Sequence, residues 1–366
     1  MSKIITIIFT IIILIIIPST LSAYNSTTEV KGFRIGECKA WTQFRKKFNK
    51  TYSSVREAKR RKMIFIKNYR LVTNHNKHYD LNLESFLCSI NRFSDLTKEE
   101  FQQKYTGFQP PTDYNVTHEQ GFGIKAVGTG IVVGNHKKII QEGKVLKSID
   151  WRRTAVTGVK KQGECGSCWT FSAAGALEGQ IFIKARKLYE VSAQYFLDCV
   201  KTNITDGCTG GLMTDVYKFS MTNGIVEDAR HPYTDGQSPD GCTIQDLTIP
   251  IKVTGYIELK KVSEDELLRA VSTIGPISIA IDARWQSLQF YETGVYFEPL
   301  CDPNELNHAV LVVGYGTDED FGDYWTVKNS WGIGWGEYGY IRMARNKSNH
   351  CGVATMPSYP VVSVRF

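Results

Sequence analysis

Beyond its opening residues the 366-residue chain has no apolar run long enough to cross a bilayer. The one long run, Ile4 to Ile17, spans fourteen residues, short of the ~20 a spanning helix needs. Lys3 before it, with Pro18 and the small residues Ser19, Thr20, Ser22 and Ala23 after it, give residues 1–23 the character of a secretory leader. A zinc pattern is missing too. Cys165 and Cys168 form one CxxC, but neither a second such pair nor a spaced histidine pair follows. Gly128-Thr129-Gly130 and Gly134 lack both a GK[ST] ending and a GxGxxG spacing, which excludes a phosphate loop. No metal or cofactor is expected. A hydrophobic content of 42% excludes wholesale disorder.

The net charge of +7 is unevenly placed: residues 24–143 carry +10 and residues 144–366 carry −4. The basic run Lys59-Arg60-Arg61-Lys62 reads as a solvated helix face, and the secretory leader argues against a nucleic acid partner. The two parts should attract near neutrality, and protonating carboxylates below about pH 4 to 5 should weaken that attraction.

Residues from Cys38 to Asn76 read as long helices. Trp41, Phe44 and Phe48 recur at helical steps, and Glu57, Arg61, Phe65, Asn68, Val72 and Asn76 line one side of a second helix. Residues 109–143, with Pro110-Pro111, several glycines and Lys137-Lys138, read as an exposed linker where proteolytic nicking concentrates, with a cut near Lys144 or Val145. From Cys168 to about residue 225 the chain is helical. From Ile249 onward alternating strands take over, in Ile277 to Ile281, Val310 to Val313, Tyr324 to Val327 and Gly339 to Met343. A helical half and a β-rich half predict an α+β fold of two lobes with a cleft between them.

The cleft's chemistry is written in Gln162-Gly163-Glu164-Cys165-Gly166-Ser167-Cys168-Trp169. Cys168 opens a predicted helix, whose unpaired N–H groups and partial positive charge stabilise a thiolate. A nucleophile of this kind needs a base and a group that orients the base. Asn307-His308-Ala309 and Lys328-Asn329-Ser330-Trp331-Gly332 supply them, with His308 and Asn329 lying 140 and 161 residues after Cys168. Nine cysteines in a secreted chain imply disulfides. Cys38 and Cys88 lie in the basic part. Of the seven others Cys168 is the reactive one, and the remaining six permit fifteen pairings that sequence cannot resolve.

These motifs, in this order and spacing, resemble the papain-like cysteine proteases and, within them, the cathepsin L group. The face from Glu57 to Asn76 resembles the ERFNIN signature of that group's propeptides, with Val72 in the Ile position. Ile90 to Thr97 resembles their second motif, although Ser89 stands where glycine is usual. The resemblance implies a papain-like two-lobed fold, a helical lobe plus a β-barrel-like lobe, preceded by a small helical prodomain of about residues 38–105 within a propeptide of 24–143. A peptidase domain of 144–366 follows. The propeptide's tail would run through the cleft and block it. Disulfides Cys165–Cys208, Cys199–Cys242 and Cys301–Cys351 are implied.

Roles follow on the same footing. Cys168 would be the nucleophile, His308 its base and then acid, and Asn329 the group orienting the imidazole. Gln162 with the Cys168 N–H would form the oxyanion hole. Trp331 reads equally as a shield over the His308–Asn329 bond or as a core tryptophan. Gly166, Gly210 and Gly211 would meet substrate backbone, and Leu212, Met213, Ala280, Leu306 and Met356 would line S2. All five are apolar, which predicts Leu, Phe or Val at P2, worth roughly 1 to 3 kcal/mol. Asn307 departs from the Asp often found before the histidine, and Thr170 from the usual Ala. With no occluding loop in the sequence, the expected enzyme is an endopeptidase. It would act as a monomer on proteins and peptides in a lysosome, a vacuole or outside the cell, with its own propeptide as inhibitor. Sequons begin at Asn25, Asn49, Asn115, Asn203 and Asn346. Two other readings stand beside this one: a silent homologue that only binds, and a released propeptide that inhibits proteases in trans.

Overall fold

Aromatic residues at three- and four-residue steps build the first helices. In the computed structural model, which describes residues 34–111, 125–128, 130–238, 241–242, 249–259 and 262–364, α1 (Ile35–Lys47) and α2 (Val55–Asp80) close on Trp41, Phe44, Phe65 and Ile66. The leader and the sequons at Asn25 and Asn115 lie outside the described residues. The Phe65 ring lies tilted against Phe44 and Trp41, with centroids 4.7 and 5.3 Å away. The Ser54 side chain starts α2 by accepting the Glu57 N–H.

The face predicted on α2 does two things at once. Phe65 and Val72 are buried against apolar neighbours. The polar members satisfy the backbone of the segment that follows. Asn68 donates to the Ser94 and Leu96 carbonyls at 3.0 and 2.8 Å, and Asn76 exchanges two bonds with the Cys88 backbone at 2.8 and 2.9 Å. Arg61 donates to the Asp95 carbonyl at 2.9 Å while pairing with Glu57 and Glu100, each at 2.6 Å. A buried backbone group left without a partner costs about 1–3 kcal/mol. That is why amides and a guanidinium stand at these positions. β1 (Phe86–Cys88) and α3 (Lys98–Tyr105) complete the globule, α3 being started by a capping box between Thr97 and Glu100.

Next come β2 (Lys125–Gly128), α4 (Gly130–Glu142) and β3 (Ile149–Asp150). The helical lobe holds α5 (Cys168–Ala185), α6 (Ala193–Cys199) and α7 (Met213–Asn223). The second lobe holds β4 (Ile251–Glu258), α8 (Glu264–Thr273), β5 (Ile277–Ile281), α9 (Gln286–Gln289), β6 (Tyr291–Tyr296), β7 (His308–Asp318), β8 (Gly322–Lys328), β9 (Tyr340–Ala344) and β10 (Ser358–Val364). The strands form one sheet in the order β1-β6-β9-β8-β7-β5-β10-β4-β2, with β3 beside β7. The expected α+β architecture of a helical and a β-rich lobe behind a small helical globule is the one observed. Two large apolar clusters divide between the lobes, and a third lies inside the globule.

The globule docks by adding β1 antiparallel to β6, which satisfies a sheet edge that would otherwise stand open. Asn91 and Gln289 trade bonds across the same junction, to the Gln289 and Phe93 carbonyls at 2.7 and 3.0 Å.

Residues 109–143 differ from the linker expected. β2 pairs antiparallel with β4 over four residues, and α4 lies on the second lobe with Ile140 only 1% exposed among Ile257, Leu259, Leu267 and Val271. His136 on the same helix is buried 3.2 Å from the Tyr359 hydroxyl. Glycines and a basic pair suggested exposure. Ile140 and Val127 instead gain burial, and β4 offers an unpaired edge, together outweighing glycine's helix cost of about 1 kcal/mol each. Replacing Ile140 by Ala should therefore lower the stability of the full chain by about 2–4 kcal/mol, read as a shift of its urea midpoint. A shift under about 0.5 kcal/mol, the usual size for a surface site, would remove α4 from the core.

Candidate active site

α5 is buried along nearly its whole length, from Cys168 to Ile181. Cys168 is its first residue, the Ser167 side chain makes no capping bond there, and the Cys168 and Trp169 N–H groups act on the sulfur. The Cys168 Sγ lies 3.4 Å from the Ala309 N–H of β7. Gln162 is fully buried on the loop before α5. Its Nε2 donates to the Cys165 carbonyl at 2.8 Å, and its Oε1 accepts the Ser330 hydroxyl at 2.6 Å.

The opposite wall is built by β7 and β8. His308 opens β7 and is wholly buried. Its Nε2 lies 2.8 Å from the Asn329 Oδ1, just past the end of β8. Trp331 covers that pair, stacked on the His308 ring with centroids 4.6 Å apart. Its ring also meets those of Trp335, Phe93 and Phe101. The two readings of Trp331 thus describe one residue, which roofs the imidazole and is 2% exposed. The His308 Nδ1 is buried without a hydrogen-bond partner among the described residues.

The chain after α3 lies along this cleft. The Tyr105 carbonyl accepts from the Trp331 Nε1 at 3.0 Å and the Gln162 Nε2 at 3.3 Å. Gly107 and Phe108 both donate to the Asn307 carbonyl, at 3.1 and 3.0 Å. The Gly107 carbonyl accepts the Gly211 N–H at 2.9 Å, and Phe108 pairs with Gly211 in parallel sense. Gly107 passes so close to Gly166 that a β-carbon on it would overlap the Gly166 carbonyl. Phe108, 3% exposed, joins the apolar cluster that contains Leu212, Met213, Ala280 and Leu306, with half-buried Met356 packed against it. Tyr105, Gly107, Phe108 and Ser330 were not singled out from the sequence. The available signal was a lone glycine and an aromatic between the last helix of the globule and Pro110-Pro111, a context that keeps the chain extended.

Covering the site changes its electrostatics. Burial pushes the Cys168 thiol up to about 11, against the lowering effect of the Ala309, Gly107, Trp169 and Cys168 N–H groups. Burial likewise pushes the His308 imidazole down to about 4, with the Asn329 bond opposing. Charged forms lose their hydration there. Under the covering segment burial thus drives both the thiol and the imidazole toward their neutral forms, despite the helix terminus.

Cys165–Cys208, Cys199–Cys242 and Cys301–Cys351 are disulfide-bonded. Cys38 and Cys88 are free, and burial holds the Cys88 thiol well above its usual range. Among the described residues one cluster of metal-ligand types occurs, Cys301, His350 and Cys351, but both sulfurs are consumed in their disulfide. A thiol at a helix start, an imidazole held by an amide and a buried amide donor beside the thiol are the parts that acyl transfer through a thioester needs.

Comparison with known proteins agrees with this geometry. Residues 145–361 match the model for the papain family cysteine protease, and residues 41–101 that for the cathepsin propeptide inhibitor domain. A cathepsin L-like peptidase of Aedes aegypti is 42% identical over 323 residues, 88% of this chain and 92% of that protein. Procathepsin L of Mus musculus is 40% identical over 332 residues, with the same coverage. Among solved structures, a digestive procathepsin L 3 of Tenebrio molitor larval midgut superposes with a TM-score of 0.74 at 36% identity, covering 88% of this chain and 98% of that one. A recombinant stem bromelain precursor gives 0.73 at 34%, covering 89% and 98%.

The fit at Gly107 is directly testable. Iodoacetamide should alkylate Cys168 slowly near neutral pH in the intact chain. Gly107→Ala, which cannot seat against Gly166, should raise that rate about tenfold or more, read by mass spectrometry of the Cys168 peptide. Equal rates would mean that the glycine does not govern the closure.

Proposed function

The chain belongs to the papain family of cysteine proteases, and we propose that it is a secretory-pathway endopeptidase, held silent until its propeptide is removed. It is a cathepsin L-like cysteine protease that carries its own propeptide inhibitor domain. In our reading Cys168 attacks the scissile carbonyl, with His308 taking and then returning the proton and Asn329 orienting the imidazole. The oxyanion is met by the Gln162 amide and the Cys168 N–H. The observation that carries this reading is the seat of residues 105–109. A peptide carbonyl already sits on the Gln162 amide, and a peptide backbone already pairs with Gly211.

Direction explains why that segment is not cut. Phe108 pairs with Gly211 in parallel, so its carbonyls are presented in one polarity only. A substrate running the opposite way would pair antiparallel and bring its scissile carbonyl to Cys168. Removing the cover rehydrates the site and lifts the burial that opposes the helix N-terminus at the thiol. That favours a thiolate beside an imidazolium, the pair nucleophilic attack requires.

The boundaries in this reading are a leader of residues 1–23, an inhibitory propeptide of 24–143 and a peptidase domain of 144–366. The expected cut near Lys144 or Val145 falls in the largely exposed stretch between α4 and β3. Phe108 among the S2 residues supports the apolar P2 preference. The leader and sequons fit passage to a lysosome, a vacuole or the exterior.

Two experiments test the reading. Purified proenzyme held at about pH 4.5, where carboxylates begin to protonate, with reducing agent should lose mass and begin to cleave a fluorogenic peptide with Leu or Phe at P2. Cys168→Ser should show no activity. Processing without activity would favour the silent homologue. Met356→Glu should confer cleavage after Arg at P2, about tenfold or more over the parent. No gain would remove Met356 from the pocket.

A further inference from the structure

The propeptide occupies the cleft on both sides of Cys168. Phe108 lies on the S2 side, and Gly107 passes over Gly166 beside the nucleophile. The Tyr105 carbonyl rests on the Gln162 amide and the Trp331 indole. The preceding residue, Lys104, therefore stands beyond the nucleophile, on the side where a substrate's leaving group would lie. Its ammonium meets the Glu164 carboxylate at 2.7 Å.

Glu164 is well placed to read charge there. It sits between Gln162 and the Cys165–Cys208 disulfide, on a loop whose backbone is fixed at both ends. Its side chain remains 59% exposed even with Lys104 in place. Burial holds the Tyr105 phenol well above its usual range, and the Glu164 charge adds to that shift. Lys104–Glu164 is also the one ion pair that joins residues 34–111 to the peptidase lobes among the described residues. Once the propeptide leaves, that carboxylate faces the cleft with no cation of its own among the described contacts.

We infer that Glu164 determines specificity on the leaving-group side, favouring lysine or arginine in the first two positions after the scissile bond. The propeptide fills this position with a cation, Lys104, from the last turn of α3. The inference rests on the proposed roles of Cys168 and Gln162, which define that side of the cleft. A solvent-exposed carboxylate pairs weakly and is screened by salt, so the preference is modest and depends on ionic strength.

The test uses the activated enzyme and internally quenched peptides with Leu at P2, carrying either Lys or Glu at P1′ or at P2′. In wild type at about 50 mM salt the kcat/KM ratio of Lys to Glu should be about two- to fivefold at one of these positions. It should shrink at about 500 mM salt. Glu164→Gln should bring the ratio near one, and Glu164→Lys should invert it. A ratio identical in wild type and Glu164→Gln overturns the inference. So does a wild-type ratio that salt leaves unchanged, which serves as the readout if either variant fails to fold. If the wild-type enzyme cleaves none of the peptides after its propeptide has been removed, the protease reading of the site falls instead.

Discussion

The packing of α5 against β7 sets the distance between the two walls of the cleft, and the rest of the site is hung on it. Cys168 opens the helix and His308 opens the strand, so the register between these two elements fixes both side chains. Close approach is possible because Gly175 carries no side chain: a β-carbon there would stand 2.6 Å from the Leu311 Cδ2. Ser172 donates to the Val310 carbonyl at 2.7 Å, and Ser278 of β5 donates back to the Ser172 carbonyl at 2.8 Å. A second tie lies behind the site. Glu178 of α5 and Lys328 of β8 both bond the Thr157 hydroxyl, at 2.6 and 3.1 Å, and Lys328 is followed directly by Asn329. Burial raises the Glu178 carboxyl and lowers the Lys328 ammonium. Such a pair adds little net stability while making its own rupture costly, because either partner left alone is an uncompensated buried charge. Reaction rates fall steeply with misplacement of reacting groups by about 1 Å, which is what these contacts guard against.

The same walls explain how the zymogen is silenced without altering any catalytic side chain. Residues 105–109 hydrogen-bond the Gln162 amide and the Gly211 backbone, the groups proposed above to meet substrate, and also the Asn307 carbonyl. Inhibition is therefore competition for hydrogen bonds, reinforced by desolvation. With the cover in place burial drives the thiol up and the imidazole down, each toward its neutral form. The cover both occupies the cleft and removes the electrostatic condition for attack.

Much of this was legible in the sequence because the responsible features are local. Glu57 to Asn76 announced a helix face by spacing. Cys168, His308 and Asn329 stood out by residue type and order, and the fold sets His308 against Asn329 and Cys168 against the Ala309 N–H; the two textures announced two lobes. What stayed hidden depended on partners remote in sequence. α4 and β2 form because β4 leaves an edge open and the second lobe has room for Ile140, neither of which can be read from residues 109–143. α8 was missed although Ser263 caps it by accepting the Glu266 N–H and its first turn is acidic, both helix-start signals; the strand texture read from Ile249 onward passed over them. The path of Tyr105 to Gln109 is likewise set by the cleft it fills rather than by its own preferences. Pairing of the six disulfide cysteines could not be read from spacing, because fifteen arrangements share one sequence; the resemblance implied the pairing that the fold shows.

The charge division between propeptide and enzyme acquires a different meaning once the contacts are laid out. If the basic globule were held by local ion pairs, several should cross the junction, yet among the described residues 34–111 Lys104–Glu164 alone does so. Docking is instead carried by the β1–β6 strand pairing, the Asn91 and Gln289 exchange and aromatic contacts on Trp331, none of which titrates in the acid range. The ionised groups are concentrated inside the globule. The Thr97 N–H and the Arg60 and Arg61 guanidinia hold the Glu100 carboxyl down to about 2 although burial opposes them, and the Arg70 pairing lowers Glu37. A carboxylate depressed in the folded state gives stability that is full above its unfolded value, roughly 4.3, and is lost as pH falls toward the folded one. Acid therefore acts on the globule's own fold over about pH 4 to 2, below the range in which overall charge attraction fades. Near pH 4.5 the ion-pair network of α2 and α3 is still largely intact. Opening at that pH must draw on the loss of long-range attraction and on cleavage of whatever fraction is transiently undocked, rather than on collapse of the propeptide.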